Sequence, residues 1–384
     1  MLGVALSGTG AVTPEPAAKL AAKPTGSDTA AQLAQAVTNL SGLPGIRYKG
    51  TLAGAGAHVK VDLSVTAEGS THGMLVESRN RVQLFSADEK AFVKGNASYW
   101  RTNGASASQA KGYVNRWIKL PASKLPIGNI RTLTPSQLAG AMNPGGISGR
   151  LTPGPAERVN GVSARPIALP TGRVYLTTAS PYHIVRIETS RAGGSEGDSG
   201  STPATPDTGT AALAGDAAIR PVSSPLSRSR ILEGRLDLIG MSAEGAGGFV
   251  RKLQVKVREL RNSIDSQVSV KVTDVGNLSP CDNHRCTANA QIKNRLLGDD
   301  PMLQTKSKIA VEVTVSFRLD GSSVGSCTRT IAMRPNSVGR VSCGVSYNAR
   351  TDRGHSMAAR VQAQARAMTT TDLRSMLGAL KKER

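Results

Sequence analysis

Residues Met74–Leu120 read MLVESRNRVQLFSADEKAFVKGNASYWRTNGASASQAKGYVNRWIKL, and they hold half of the chain's few aromatic side chains. The whole chain has two Trp, six Tyr and four Phe. Large aromatic side chains bury much surface and anchor cores, so this stretch is predicted to form the main hydrophobic core. Short apolar runs between turn residues indicate an antiparallel meander. The predicted strands are Gly73–Ser78, Arg81–Phe85, Lys90–Lys94 and Gly112–Leu120.

Helix and strand patterns flank this meander on both sides. Asp28–Leu40 carries apolar residues on one helical face, and Val59–Thr66 alternates strictly between apolar and polar residues. Such alternation is typical of an antiparallel strand with one wet face. After the meander, Thr134 is a predicted N-cap that is followed by Pro135 at the first helical position. Three further predicted strands are Val162–Ile167, Arg173–Thr178 and Tyr182–Glu188.

The last third of the chain has its own pattern. A basic amphipathic helix is predicted near Ser242–Ile264; it fits either a membrane surface or, more simply, packing on its own sheet. Ile309–Leu319 is the clearest strand, and Asp320–Gly321 predicts a hairpin turn after it. The tail predicts two helices, Ser356–Met368 and Leu373–Leu380.

These patterns predict an α+β fold. It comprises a curved antiparallel half-barrel sheet with two short helices, then a linker and a smaller disulfide-bonded β-sandwich-like domain with flanking helices. The predicted divisions are a flexible leader left from a signal or anchor segment (1–26), the half-barrel domain (27–190), a disordered linker rich in Gly, Ser, Thr and Pro (191–228), a β-domain with an N-terminal helix and two disulfides (229–350), and a helical tail (351–384).

The four cysteines predict two disulfides and an extracytoplasmic location. Cys281, Cys286, Cys327 and Cys343 form an even, local set, which is typical of oxidising compartments. Of the three connectivities that four cysteines allow, Cys281–Cys286 with Cys327–Cys343 is favoured. A zinc site that includes His284 is the alternative, although the cysteine spacing does not match the usual zinc motifs.

The composition favours anionic partners. The 384-residue chain has a formal net charge of +21, which attracts acidic lipid headgroups, envelope polyanions or nucleic acid. The positive charges are scattered. Tyr99–Arg101 and Tyr113–Trp117 place basic residues beside aromatics, but core aromatics at strand ends explain these segments more simply, so nucleic acid is not the expected partner. An anionic membrane surface or a cell-wall polymer fits this charge. No run of about 20 apolar residues predicts a membrane span.

The sequence contains no recognisable catalytic or cofactor motif. The five histidines are scattered, and neither a P-loop nor an HExxH helix is present. The acidic residues fall on polar strand faces or in turns. We therefore expect neither an enzyme nor a bound cofactor or metal.

A ligand cavity is the functional feature that the pattern favours. A large antiparallel sheet twists and curls, and two helices with narrow apolar faces cover its concave side poorly. A pocket lined by apolar side chains takes apolar ligands. In the alternative, the sheet closes on its own side chains and no cavity remains. The expected wall residues are Val59, Val61, Leu63, Val65, Met74, Val76, Trp100 and Trp117.

Residues 28–190 resemble the LolA-like, LppX/LprG-type family of envelope lipoproteins. The matching segments are Asp28–Leu40, Ile46–Leu52, Val59–Thr66, Val82–Val93, Ser98–Trp100, Trp117–Leu120, Leu133–Pro135, Val174–Thr178 and Tyr182–Glu188. The resemblance implies a half-barrel around helices, with a hydrophobic cavity for acyl chains that are carried or displayed in a bacterial envelope.

A second resemblance covers the cysteine-bearing region. Asp320–Cys327 and Val341–Cys343 are similar to the disulfide-bearing β-domain that follows such half-barrels in secreted actinobacterial proteins, including toxin-delivery precursors. The sequence thus leads to an extracytoplasmic, non-enzymatic protein that binds a lipid or acylated envelope molecule. The alternative is a structural, adaptor or sensor module without a ligand.

Overall fold

The structure is a computed structural model that describes residues 26–54, 57–121, 124–125, 127, 130–142, 151–169, 172–189, 233–297, 308–350 and 354–384. The predicted linker 191–228 and all but the last residue of the predicted leader 1–26 lie outside these residues. In the described part, no helix is long and apolar enough to span a bilayer.

Three of the six described α-helices are short, with six or seven residues, and three have 13 to 16 residues. In chain order they are α1 Gly26–Ser41, α2 Ala97–Thr102, α3 Ala107–Tyr113, α4 Pro135–Ala141, α5 Ala243–Val257 and α6 Thr370–Lys382. Short 3-10 helices cover Ile130–Leu133 and Arg258–Asn262. As predicted, the Thr134 side chain accepts a hydrogen bond from the backbone N–H of Gln137 and caps α4.

Twelve described strands form one large open sheet. They are β1 Gly45–Gly54, β2 Ala57–Thr66, β3 Thr71–Glu77, β4 Asn80–Ala87, β5 Lys90–Lys94, β6 Ile118–Leu120, β7 Glu157–Val159, β8 Val162–Leu169, β9 Gly172–Thr177, β10 Ile184–Thr189, β11 Glu233–Gly240 and β12 Ile264–Asp265. The spatial order is β12-β6-β5-β4-β3-β2-β1-β11-β10-β9-β8-β7. All neighbours are antiparallel except β12 and β6. The predicted α+β class with a large antiparallel sheet is therefore confirmed.

Each face of the large sheet carries its own helices. On the first side, which we call the α1 face, buried residues of α1 such as Leu33 and Leu40 share one apolar core with residues of β1 and β2. On the other side, the α5 face, Phe85, Phe92 and Trp117 pack against Val250 and Leu380 of α5 and α6. The strict alternation of β2 explains this arrangement, because successive strand residues point to opposite sides of a sheet.

Strand β11 differs from the predicted domain division. The sequence placed 229–350 in a separate β-domain, but β11 pairs with β1 on one side and β10 on the other. It therefore lies between the two halves of the large sheet. At its start a Cβ on Gly234 would lie 2.1 Å from the backbone oxygen of Thr51, at a φ of +144°. Only glycine permits that approach and that backbone conformation.

The predicted strand Gly112–Leu120 is wrong over its first part. Residues Ala107–Tyr113 form α3, and only Ile118–Leu120 is a strand. The reason is local capping: the Ser106 hydroxyl accepts from the backbone N–H of Gln109, whose side chain accepts from the Ser106 N–H. This capping box stabilises a helix start. Asn96 caps α2 in a similar way and places Tyr99 and Trp100 on a helix.

The smaller part of the chain consists of two three-stranded sheets. One has the order β13-β14-β17, with β13 Val268–Cys281, β14 Arg285–Leu296 and β17 Val338–Ser346. The other has the order β16-β15-β18, with β15 Ile309–Leu319, β16 Ser322–Met333 and β18 Met357–Ala365. Both sheets contribute to one apolar core, which includes Ile292, Val313 and Phe317.

Both favoured disulfides are present. Cys281–Cys286 closes the β13–β14 hairpin, and Cys327–Cys343 joins one sheet to the other with a Cα–Cα distance of 5.8 Å. Among the described residues no cysteine is free, so the zinc alternative has no thiolate ligands. Two disulfides indicate an extracytoplasmic protein.

Two expectations about the flanking helices are wrong. Ser356–Met368 was predicted as a helix but contains β18, because Met357, Ala359 and Val361 alternate toward the core of the smaller part. Helix α5 was expected to pack on its own sheet, yet its buried residues lie on the α5 face of the large sheet. Helix α6 packs beside it through Met376 and Leu380.

Candidate functional site

Five of the eight predicted wall residues share the core on the α1 face. Val59, Val61, Leu63 and Val65 are at most 5% exposed, and Trp100 is 4% exposed. Leu63 and Val65 have no accessible surface at all. These side chains are therefore covered by the chain itself.

Met74 and Val76 do not belong to that wall. In the β2–β3 register, Met74 opposes Asp62 and Val76 opposes Lys60, which are the polar positions of β2. Leu75, between them, is the residue that enters the α1-face core. The prediction failed because a run of three apolar residues does not reveal which phase of the strand faces the core.

Trp117 lies on the α5 face. Its ring centroid is 6.2 Å from that of Phe85 in an edge arrangement, and its indole N–H donates to Glu259 at 3.3 Å. The two tryptophans therefore serve different cores. Trp117 anchors the cover formed by α5, whereas Trp100 packs against Tyr99 and Tyr113 with centroids 4.9 and 5.3 Å away.

Trp100 carries a buried donor without an acceptor. Its indole nitrogen is inaccessible to solvent and forms no hydrogen bond. A buried unpaired donor costs roughly 1–3 kcal/mol. The Tyr48 hydroxyl of the same core, in contrast, donates to the Leu133 carbonyl at 2.5 Å, and burial raises the pKa of Tyr48 well above its ordinary value. The α1-face core thus contains an unsatisfied hydrogen-bond donor, the indole N–H of Trp100.

A groove of about 730 Å³ opens at one end of the large sheet. We call it the rim groove. It lies between α6 and the turns that connect β2 to β3 and β4 to β5. Its lining residues are Glu68, Gly69, Ser70, Ser86, Ala87, Asp88, Glu89, Ala91, Leu125, Ile130, Arg131, Ser375, Gly378, Ala379, Lys382 and Glu383.

The edges of the rim groove are polar and held by specific hydrogen bonds. The Glu383 carboxylate accepts from Thr66 Oγ1 at 2.8 Å and from Ser70 Oγ at 2.7 Å. Asp88 pairs with Lys90 at 2.8 Å. Arg131 pairs with Glu89 across the mouth. These contacts fasten the end of α6 and the turns, so the edge of the groove is preorganised.

The floor of the rim groove is apolar and reaches both cores. Leu125 and Ile130 are buried members of the α1-face core, whereas Ala87 belongs to the α5-face cluster. An apolar floor under a charged edge suits an amphiphile, with a chain below and a headgroup above.

The side of α6 that lines the rim groove consists of small residues. Ser375, Gly378 and Ala379 follow helical spacing, with Lys382 one turn further on. A Cβ built on Gly378 meets nothing within 4 Å. The volume of the groove therefore depends on short side chains.

Sequence reasoning missed this groove entirely. Its lining joins Ser70 and Asp88 to Ser375 and Glu383, and about 300 residues separate the first pair from the second. The available signal was the small-residue face of the last helix, but nothing local indicates where such a face docks. In the described residues there is also no cluster of three metal-ligating side chains.

Comparisons with known proteins add little. No protein-family model matches the chain, and no curated protein matches it. Among the solved structures that are similar to the chain is the crystal structure of LprF from Mycobacterium bovis, at 10% identity over 44% of this chain and 88% of that chain, with a TM-score of 0.29. This is at most the likeness of a distant relative, and it decides nothing about function.

Proposed function

We propose that this protein is an extracytoplasmic, non-enzymatic protein that binds a lipid or acyl ligand at the rim groove. The observation that carries the proposal is the combination of an apolar floor at Leu125 and Ile130 with a charged, hydrogen-bonded edge. The volume of about 730 Å³ falls within the usual range of ligand pockets, roughly 300–1,000 Å³.

The charges of the groove fit a headgroup rather than a bare hydrocarbon. Glu68 and Lys382 stand at the edge, and the Arg131–Glu89 pair adds a cation and an anion. A ligand with a polar headgroup replaces water at these groups while its chain covers the floor. A purely apolar ligand leaves the edge solvated and gains only from the floor.

A second candidate is a structural or adaptor module without a ligand. The packing of Leu63 and Val65, which have no accessible surface, favours it. In this case the α1-face core only stabilises the sheet, and the rim groove holds water.

Gly378→Leu separates the two candidates. The new side chain takes up part of the rim groove, and replacing glycine in a helix does not weaken the helix. We expect wild-type protein from a disulfide-competent host to release a lipid on organic extraction in native mass spectrometry, and to bind a fluorescent long-chain fatty acid. Gly378→Leu should carry less lipid and bind the fatty acid more weakly.

Gly112→Leu is the matched control. Gly112 is also a helical glycine whose Cβ would meet nothing within 4 Å, but it lies on α3, away from the groove. The control should bind like the wild type. If the wild type carries no lipid and binds no fatty acid, the ligand proposal is wrong and the adaptor candidate stands.

A further inference from the structure

The outward face of the β13–β14–β17 sheet carries a compact group of cations. In the strand register Lys271 opposes Lys293, Ser269 opposes Arg295, and Gln291 opposes Arg340. The intervening residues Ala290 and Ile292 point into the core, so these partners all point outward. We call this surface the basic face; its cations are Lys271, Lys293, Arg295 and Arg340, and all four are exposed.

The cations of the basic face lie close together. Neighbouring strands are about 4.8 Å apart, and alternate residues of one strand are about 7 Å apart. Lys293 and Arg295 are alternate residues, and Arg340 is one diagonal step away on β17. Lys293, Arg295 and Arg340 form no ion pair with a carboxylate of the described residues. The one carboxylate in the outward register is Asp274, opposite Gln291.

An exposed apolar side chain lies among these cations. Val338 opposes Lys293 on β17, two residues before Arg340, and is 53% exposed. The outward positions of these strands carry no aromatic side chain on which a base could stack. The surface is one broad sheet face, so a planar anionic partner fits it better than a threaded polymer.

We propose that the basic face docks the protein on an anionic lipid bilayer, with Val338 reaching the headgroup layer. Phosphate headgroups supply charges complementary to the four cations, and each Lys or Arg near such a surface strengthens binding about fivefold. This surface lies on the smaller part of the chain and shares no residue with the rim groove. The docking proposal therefore does not depend on ligand binding.

The test is vesicle sedimentation of the full chain with the triple variant Lys293→Gln, Arg295→Gln, Arg340→Gln. Vesicles of equimolar phosphatidylglycerol and phosphatidylcholine are compared with vesicles of phosphatidylcholine alone. We expect salt-sensitive binding of the wild type to the anionic vesicles only. The triple variant should bind about 100-fold more weakly, since three charges are lost.

A control variant has the same net charge as the triple variant of the basic face. Arg318→Gln, Arg329→Gln, Arg360→Gln removes three exposed cations from the opposite sheet of the same part. This variant should bind nearly as well as the wild type. Equal losses in both variants would show that net charge alone drives binding and would overturn the proposal. So would the absence of wild-type binding, or binding to soluble polyphosphate without binding to vesicles.

Discussion

His72 is a residue whose protonation opposes folding. It lies on the α5 face beside Phe85, with its Nε2 atom buried and without a partner. Burial lowers the pKa of His72, Lys256 lowers it further, and Glu259 raises it in part. The unfolded chain therefore binds a proton more readily than the folded chain as the pH falls through the ordinary histidine pKa of about 6.5.

We predict that His72→Leu makes stability less dependent on pH. The stabilising effect of a neutral His72 is fully present above about pH 6.5 and is lost progressively below it. The measurement is the urea midpoint of wild type and variant from neutral to mildly acidic pH. The other four histidines are common to both proteins, so the difference reports on His72. Parallel curves would contradict the prediction.

Leu63 and Met74 test which phase of the central strands faces the core. Leu63 is fully buried on the α1 face, whereas Met74 is half-buried on the opposite side. We expect Leu63→Ala to lower the free energy of unfolding by about 2–5 kcal/mol, and Met74→Ala to lower it clearly less. Urea denaturation measures both. Equal costs would mean that Met74 is a core residue after all.

At the scale of elements, the two disulfides differ in what they join. Cys327–Cys343 spans 16 residues and connects two sheets, whereas Cys281–Cys286 spans 5 residues within one hairpin. The short hairpin has further support, because the Tyr347 hydroxyl donates to the Asp282 carbonyl at 2.5 Å. Because its loop is shorter, the Cys281–Cys286 disulfide constrains the unfolded chain less. The Tyr347 hydrogen bond also holds this hairpin when the disulfide is removed.

We predict that the Cys327→Ser, Cys343→Ser variant loses about 3 kcal/mol of stability in the chain-entropy estimate. The Cys281→Ser, Cys286→Ser variant should lose less, about 2 kcal/mol or below. Chemical denaturation of each double variant measures the order. The reverse order would show that strain or residual structure, rather than loop length, governs these bonds.

The local sequence pattern predicted an element correctly where a single feature, such as strand alternation or a helix N-cap, was clear. The alternations of β2 and β15 predicted both strands, and the Thr134 cap predicted α4. Prediction failed where two signals competed. The alanine-rich segment Ser356–Met368 reads as a helix, but its two-residue alternation supplies the side chains that the smaller core needs, so tertiary packing decides.

At the scale of the molecule, elements that follow the predicted boundary at residue 190 belong to the large sheet or cover it. Strand β11 pairs with β1 and β10 in the large sheet, and α5 and α6 cover Phe85, Phe92 and Trp117. Arg366 of the smaller part donates to the Asn262 side chain at 2.9 Å, and Arg116 donates to Gln364 at 2.6 Å. These pairings are nonlocal, which is why no local pattern revealed them.

We predict that a chain truncated after residue 190 does not form the native large sheet. It lacks β11, so β1 and β10 lose their shared neighbour, and it leaves the aromatic cluster of the α5 face uncovered. Dye binding to exposed apolar surface should rise, and protease resistance should fall relative to the full chain. A truncated chain with native-like protection would show that 27–190 is an autonomous domain.

The register of β10 and β11 has a practical consequence. Thr189 opposes Gly234, so the last described residue of β10 and the second residue of β11 are neighbours in the sheet. Closing a loop costs only about 0.6 kcal/mol more for each doubling of its length. This junction is therefore a suitable place to graft a reporter domain or to open new termini by circular permutation.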